Sequence, residues 1–283
     1  MREIPLKDSS FAHCVYSNNP MPPKTFSKHI KWNRESGDPR HTVYTDYHVT
    51  ECSGGIGWLL EPRELIPHIY SYVENNTHKF KEIWSHDVEL IEKVKGTFVP
   101  FGGCWIDEKD YGVHSKSKSF SIIASGKRQL PGHQLRHQIV QAGESNIDVL
   151  GNGYKPIKDK IEGLRDYRYH FAIENCKKDF WFTEKLIDCL VTGTIPIYWG
   201  CPSISKFFNV DGFIIFNDLQ ELKDKLKLCT PSYYESKLSI IQENFNLNGV
   251  TLSTNEPAVW LFIPPKRITP VVASCVTYCN QGP

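Results

Sequence analysis

The segment from Tyr167 to Gly200, YRYHFAIENCKKDFWFTEKLIDCLVTGTIPIYWG, most strongly constrains how this chain folds. It contains an apolar run at 170–173, a polar turn at 174–179, an amphipathic stretch that opens at Thr183, and a second apolar run at 195–199. Because helices cover both faces of a parallel sheet, its strands are short, continuous apolar runs. The segment therefore predicts a strand, a loop, a helix and a second strand, which together make one βαβ unit.

Ligands bind such units at the carboxyl ends of the strands, where helix amino termini present free N–H groups. Polar residues gather at that end of the predicted unit: Glu174, Asn175, Thr183, Glu184 and Lys185. Thr183 can cap the helix, and the helix dipole favours Glu184 in the first turn but disfavours Lys185. A bound diphosphate would offset the charge of Lys185, and Glu184 could accept hydrogen bonds from ribose hydroxyls.

Three motifs in this region carry a family resemblance: FAIEN at 171–175, FWFTEKL at 180–186 and TGTIPIYWGCPSI at 192–204. Together they resemble the donor-binding core of the α-1,3/4-fucosyltransferases, glycosyltransferase family 10, and most closely its bacterial members. The resemblance extends more loosely from Ser119 to Leu228. The nine-residue offset between Asn175 and Glu184 is the one that the family uses.

The resemblance implies an α/β fold with two Rossmann-like domains that face a cleft, the GT-B type, with a compact amino-terminal domain. It implies GDP-fucose as donor, and it places Asn175 and Glu184 in the nucleotide-sugar site. It also implies that Arg136, near the start of a helix, contacts the diphosphate. Trp181 stands where the family commonly has a tyrosine, so stacking on the donor is retained but a hydroxyl contact is lost.

Composition narrows the class of protein further. The net charge of +1 gives no long-range field for nucleic acid or acidic membranes. The sequence holds no eighteen-residue apolar run and no signal-peptide core, so we expect a cytoplasmic protein without a transmembrane segment. Nine scattered cysteines favour reduced thiols, with Cys275 and Cys279 as the only close pair and a weaker candidate for a zinc or disulfide element.

Alternating strand and helix patterns predict two α/β domains and a tail: an acceptor-side domain at 1–118, a GDP-sugar domain at 119–250 and an irregular tail at 251–283. The segment Asp107–Lys118 is the predicted linker, and Met21–Pro39 is a predicted loop. Strands are predicted at 42–44, 56–60, 97–100, 120–124, 147–150, 170–173, 195–199 and 213–216. Helices are predicted at 65–73, 88–94, 134–141, 157–164, 183–192 and 219–228, with a weaker helical pattern at 233–244.

Transfer from a nucleotide sugar requires that the departing diphosphate be stabilised and that a proton leave the acceptor hydroxyl. Many glycosyltransferases hold a metal with Asp-x-Asp, which this sequence lacks; the Asp87-Val88-Glu89 triplet is better explained as a helix cap. We therefore expect side-chain cations, and no required metal cofactor. Lys185 and Arg136 are the first candidates, with Lys127 and Arg128 as alternatives and a solvated helix face as the other interpretation of Arg136.

The catalytic base is predicted from position. In bacterial members of the family a glutamate follows a strand of the amino-terminal domain, and Glu61 follows the strand IGWLL here, although without the family's Gly-Glu-Asn context. The rivals for this role are Glu64, Glu51, Asp87 and His86.

Together these features predict an inverting transferase that moves L-fucose from GDP-β-L-fucose to a hydroxyl of an oligosaccharide or glycoconjugate, with an α-1,3 linkage. Two alternatives stay open: transfer of another nucleotide-activated sugar, and a nucleotide- or glycan-binding protein without turnover.

Overall fold

A computed structural model describes residues 2–8, 30–34, 37–100, 103–143 and 146–247. These residues form two units. The first contains the described residues up to 100 together with Asp179–Trp181, and the second contains 103–178 and 182–247. The division thus lies ahead of the predicted boundary at residue 118, and the predicted linker 107–118 belongs to the second unit. The predicted tail at 251–283, with Cys275 and Cys279, lies outside the described residues.

The first unit is built on a six-stranded parallel sheet with the strand order β2-β1-β3-β4-β5-β6. Its strands are β1 (Arg2–Lys7), β2 (Ile30–Asn33), β3 (Val43–Thr45), β4 (Ile56–Leu59), β5 (Glu82–Ser85) and β6 (Thr97–Phe98). Two helices, α1 (Pro67–Asn75) and α2 (Val88–Val94), bury an apolar face on this sheet. The core residues include Tyr44, Leu59, Ile69, Tyr70, Val73, Ile83 and Leu90.

The second unit is built on a five-stranded parallel sheet with the order β11-β10-β9-β7-β8. Its strands are β7 (Lys118–Ile123), β8 (Ile147–Leu150), β9 (Tyr167–Ile173), β10 (Ile195–Trp199) and β11 (Ile214–Ile215). Its helices are α3 (Pro131–Gln141), α4 (Glu184–Val191), α5 (Leu219–Leu226), α6 (Pro231–Ser236) and α7 (Leu238–Leu247). The predicted βαβ unit is thus confirmed as β9, α4 and β10.

The two parallel sheets confirm the predicted pair of Rossmann-like units, but several predicted elements are wrong. Residues 30–33, inside the predicted loop Met21–Pro39, form β2. The predicted helix at 157–164 is only a short 3₁₀ turn, Lys160–Gly163. Strands β1 and β5 were not predicted, because polar and charged residues interrupt their apolar patterns.

Burial explains why the central βαβ unit gave the clearest signal. All five residues of β10 are buried, and so are seven of the eight residues of α4. Six described cysteines are buried: Cys52, Cys104, Cys176, Cys189, Cys201 and Cys229. Within the described residues, every helix is too short or too polar to cross a bilayer.

Candidate nucleotide-sugar site

The strand order of the second unit locates a ligand site. Strand β7 lies between β8 and β9, so the chain leaves β7 toward one side of the sheet and later returns to β9 on the other side. In open parallel sheets, ligands bind outside the carboxyl ends of the strands at such a switch point. The residues that follow β7 and β9 therefore line the expected site, and they include α3, Glu174 and Asn175.

Helix α3 packs directly on the end of β9. The N–H group of Gly132 donates a 2.9 Å hydrogen bond to the carbonyl oxygen of Asn175. A side chain at Gly132 would collide with the carbonyl oxygen of Glu174, so the close approach depends on glycine at this position. This contact brings the first turns of α3 to the predicted site.

The guanidinium group of Arg136 lies at this junction. Its Nε and Nη2 atoms donate to the carbonyl oxygen of Ile173 at 3.2 and 2.7 Å, and Nη2 also donates to Oδ1 of Asn175 at 2.9 Å. Only 6% of Arg136 is exposed, so the interpretation as a solvated helix face is wrong. Both of these acceptors are neutral, and burial lowers the pKa of Arg136. An anion at this point would therefore be stabilised by a preorganised positive charge.

At the start of α4, Glu174 and Thr183 bind each other. The N–H and hydroxyl groups of Thr183 donate to the two carboxylate oxygens of Glu174 at 2.8 and 2.6 Å, and the Thr183 oxygen accepts from the N–H of Lys185. The predicted Thr183 cap is therefore confirmed. The carboxylate of Glu174 is fully buried, so the structure gives it a role in fixing the β9–α4 connection rather than in holding sugar hydroxyls.

The charge of Lys185 is already compensated within the protein. Its Nζ atom lies 3.2 Å from Oε1 of Glu184 and 3.7 Å from Oε2 of Glu174. The sequence predicts that an anion such as a diphosphate offsets this lysine, and in the structure two carboxylates of the protein already do so. Burial alone would raise the pKa of Glu184, but Lys185 and Lys160 outweigh it and lower that pKa to about 2. Glu184 is therefore an ionised hydrogen-bond acceptor at neutral pH.

The sequence analysis missed His133, in the first turn of α3. Its Nδ1 atom accepts a 3.2 Å hydrogen bond from the N–H of Leu130, as the third residue of a capping box does. Burial and the nearby charges of Arg136, Lys127 and Lys185 lower the pKa of His133 to about 4. The charges of three predicted cations thus each lower the pKa of this side chain. The Pro131-Gly132-His133 helix start was the available signal.

Trp181 does not line this site. It belongs to the first unit, is 1% exposed, and donates from its indole N–H to the carbonyl oxygen of Leu60 at 3.0 Å. Its ring lies near that of His86, with 6.2 Å between the centroids. The structure therefore corrects the expectation that Trp181 stacks on the donor, because its faces are covered by protein.

Glu61 follows β4 in the first unit, as predicted. Its N–H group donates to Oδ1 of Asp46 at 3.1 Å, and its carbonyl oxygen accepts from the hydroxyl of Tyr70 at 2.9 Å. Its side chain is partly exposed. The backbone of Glu61 is therefore fixed by hydrogen bonds on both sides of the peptide unit.

The rivals for the base differ from Glu61 in their surroundings. Asp87 is 1% exposed and caps α2 by accepting from the N–H of Leu90, which confirms its predicted capping role. Glu51 is paired with Lys7 at 3.1 Å and with His48 at 2.7 Å. His86 is fully buried, whereas Glu64 is exposed.

Comparisons with known proteins agree with this picture. Residues 113–232 match the family model described as glycosyltransferase family 10 (fucosyltransferase), C-terminal part. An alpha-(1,3)-fucosyltransferase, FucT, of Helicobacter pylori is 38% identical over 113 residues, which is 38% of this chain and 23% of that protein. Alpha-(1,3)-fucosyltransferase B of Drosophila melanogaster is 35% identical over 103 residues, or 32% of this chain and 22% of that protein.

The chain thus spans less than a quarter of the length of these curated relatives. A crystal structure of an alpha1,3-fucosyltransferase with GDP-fucose is 16% identical, covers 90% of this chain and 81% of its own, and superposes with a TM-score of 0.49. The match to glycosyltransferase family 10 covers residues 113–232, which contain the motifs at 171–204 that predicted this resemblance.

Proposed function

We propose that this protein is an inverting glycosyltransferase that moves L-fucose from GDP-β-L-fucose to a hydroxyl of a glycan acceptor in an α-1,3 linkage. The family match and the names of both relatives support fucosyl transfer. The observation that carries the proposal is the buried guanidinium of Arg136, which is held by neutral oxygens at the switch point of the sheet. That arrangement suits the diphosphate of a nucleotide sugar.

In this proposal the diphosphate binds beside the first turns of α3. Arg136 supplies a fixed guanidinium fork, and Lys127 supplies a second positive charge. Lys185 supplies a third positive charge and is held in place by Glu184. The bonds of Arg136 to protein use Nε and Nη2, which leaves Nη1 outside them. Glu184 accepts hydrogen bonds from the ribose hydroxyls, and the partly exposed Asn175 contributes its amide.

The chemistry is a single displacement. The acceptor oxygen attacks the anomeric carbon from the face opposite the diphosphate, the bond from that carbon to the diphosphate oxygen breaks, and GDP leaves with the bonding electrons. The acceptor proton passes to the carboxylate of Glu61, which acts as the general base. The side-chain cations stabilise the charge that develops on the leaving diphosphate, so we propose that no divalent metal is required.

Three measurements test the proposal. Calorimetry against GDP, UDP and ADP should show preferential binding of GDP, which fixes the donor class. Incubation with GDP-fucose and a panel of glycan acceptors should release GDP and yield fucosylated product in the presence of EDTA. Glu61→Gln should lower kcat by about 10²-fold or more with little change in GDP affinity, because only the proton acceptor is removed.

Three other results would contradict the proposal in whole or in part. If no acceptor supports GDP release and the wild type equals the Lys185→Ala variant, the proposal is wrong. GDP binding without transfer to any acceptor would indicate a binding protein without turnover. Release from another nucleotide sugar in a donor panel, but not from GDP-fucose, would change the sugar and keep the reaction class.

A further inference from the structure

A partly buried lysine from outside the family motifs contacts the predicted ribose-binding carboxylate. Lys160 opens the 3₁₀ turn Lys160–Gly163, and its Nζ atom lies 3.5 Å from Oε1 of Glu184. The same Nζ atom lies 2.8 Å from Oδ2 of Asp188. The side chain of Lys160 is 19% exposed, and that of Asp188 is 2% exposed. One ammonium group therefore bridges two carboxylates of α4.

Both partners of Lys160 lie on one face of α4, because residues four apart in a helix are neighbours. Without a cation between them, the carboxylates of Glu184 and Asp188 would repel each other. Lys160 removes this repulsion and draws Glu184 toward its own position. Oε1 of Glu184 lies 3.5 Å from Lys160 and 3.2 Å from Lys185, so the orientation of this carboxylate depends on where both lysines are held.

Trp105 fixes this arrangement from the other side. Its backbone N–H donates a 2.6 Å hydrogen bond to Oδ1 of Asp188, so both oxygens of that carboxylate are held. The indole ring of Trp105 also covers Lys160, with Nζ 4.6 Å from the ring centroid. A cation between a carboxylate and an aromatic face loses much of its freedom to move. Asp188 and the ring of Trp105 thus fix the ammonium group of Lys160 from two sides, independently of its contact with Glu184.

We propose that Lys160 and Asp188 are a positioning pair that holds the Glu184 carboxylate in place to accept hydrogen bonds from the ribose hydroxyls of the nucleotide. This proposal rests on the proposed function, because it assigns Glu184 to the ribose. Lys160 and Asp188 do not themselves touch the nucleotide, and they act through Glu184. A merely structural pair would affect folding but not the discrimination between ribose and deoxyribose.

The test compares GDP with 2′,3′-dideoxy-GDP by calorimetry. The wild type should bind GDP about tenfold more tightly, since hydrogen bonds from the ribose to an ionised acceptor are lost in the analogue. The double variant Lys160→Met/Asp188→Leu removes both charges, so no buried charge is left unpaired. In this variant GDP affinity should fall to that of the dideoxy analogue, whose own affinity should stay unchanged. Lys158→Met, at an exposed neighbouring lysine, is the control and should keep the tenfold ratio.

Each of the other outcomes contradicts a specific claim. If the double variant keeps the wild-type ratio, the positioning role is wrong, while the proposed function stands. If the wild type binds both nucleotides equally, Glu184 does not read the ribose and the pair has nothing to position. If the wild type binds neither nucleotide, the proposed function fails together with this inference. Thermal melting verifies folding. If the double variant does not fold, the ratio of the affinities for GDP and 2′,3′-dideoxy-GDP is measured with Lys160→Gln instead.

Discussion

The Nη2 atom of Arg136 donates a 2.9 Å hydrogen bond to Oδ1 of Asn175, and this bond joins α3 to the residues that follow β9. It couples a helix from one crossover of the sheet to the end of the neighbouring strand. The same nitrogen donates to the carbonyl oxygen of Ile173. The charge that we assign to the diphosphate is therefore fixed by the fold itself, and binding need not order a long side chain.

Replacement of Arg136 by lysine should weaken GDP binding about tenfold, because a lysine keeps the charge but loses the planar fork. Guanosine, which lacks phosphates, should bind both proteins equally. Calorimetry with the two ligands provides the measurement. Arg165→Lys, at a half-exposed arginine paired with Asp110, is the control and should bind GDP as the wild type does. An equal loss of guanosine binding would show that Arg136 supports the site as a whole.

Substitution of Gly132 by alanine should disrupt the contact between α3 and β9. The new methyl group would collide with the carbonyl oxygen of Glu174, and we expect a loss of roughly 1–3 kcal/mol in the free energy of unfolding together with weaker GDP binding. Gly126→Ala is the matched control, since a Cβ atom there has no neighbour within 4 Å. Urea unfolding and calorimetry measure both effects. Equal stability of the two variants would contradict the described packing.

Lys116 has a structural role that can be tested separately from the site. Its ammonium nitrogen lies within hydrogen-bond distance of four oxygens, among which its three N–H groups are shared: the carbonyl oxygens of Leu164, Arg165 and Thr192 and the hydroxyl of Thr194. Lys116→Met would remove the hydrogen bonds of this ammonium group and should lower the free energy of unfolding by about 3 kcal/mol. Lys227→Met, at an exposed lysine, should change it by less than about 0.5 kcal/mol. A small effect of Lys116→Met in urea unfolding would mean that water replaces the ammonium group.

Stability should also depend on pH through His170. Burial lowers the pKa of His170 from 6.5 to about 3, and its Nδ1 atom lies 2.8 Å from the hydroxyl oxygen of Ser121. Between these two pKa values the unfolded chain binds a proton that the folded protein does not, so stability falls as the pH is lowered from 6.5 toward 3. From pH 7 to pH 5 the loss should be on the order of 2 kcal/mol.

The control for this effect is His170→Asn, which has no group that titrates in this range. Because other groups titrate between pH 7 and pH 5, the quantity to measure is the difference between the two proteins in urea unfolding. This difference should shrink as the pH falls, since only the wild type loses the contribution of His170. Parallel pH profiles would contradict the assigned pKa.

The sequence predicted the second unit better than the first, and burial gives the reason. Strand β10 and the end of β9 at 171–173 are fully buried, so their sequences are continuous apolar runs. Strand β5, in contrast, has the pattern Glu-Ile-Trp-Ser with alternating burial, and β1 contains a proline and three charged residues. Four to six mixed residues do not carry a periodic signal strong enough to separate a strand from a loop.

The site was predicted in part for the same kind of reason. Asn175 follows the end of a predicted strand, and Glu184 and Lys185 stand at the start of a predicted helix. Local patterns therefore place all three at one edge of the sheet. Lys160 lies in an irregular turn, and its contact with Asp188 spans 28 positions, which no local pattern encodes. The compensation of Lys185 by two acids likewise depends on side-chain directions that spacing alone does not give.

The assignment of Asp179–Trp181 to the first unit bears on how variants of this protein can be built. The indole of Trp181 is seated on the carbonyl oxygen of Leu60 and beside His86. In a chimera that exchanged residues 113–232 with a relative, the relative's side chain at position 181 would have to pack against Leu60 and His86 of this protein. Recombinants that carry residues 60–86 along with the exchanged segment should express as folded protein more often than those cut at residue 113.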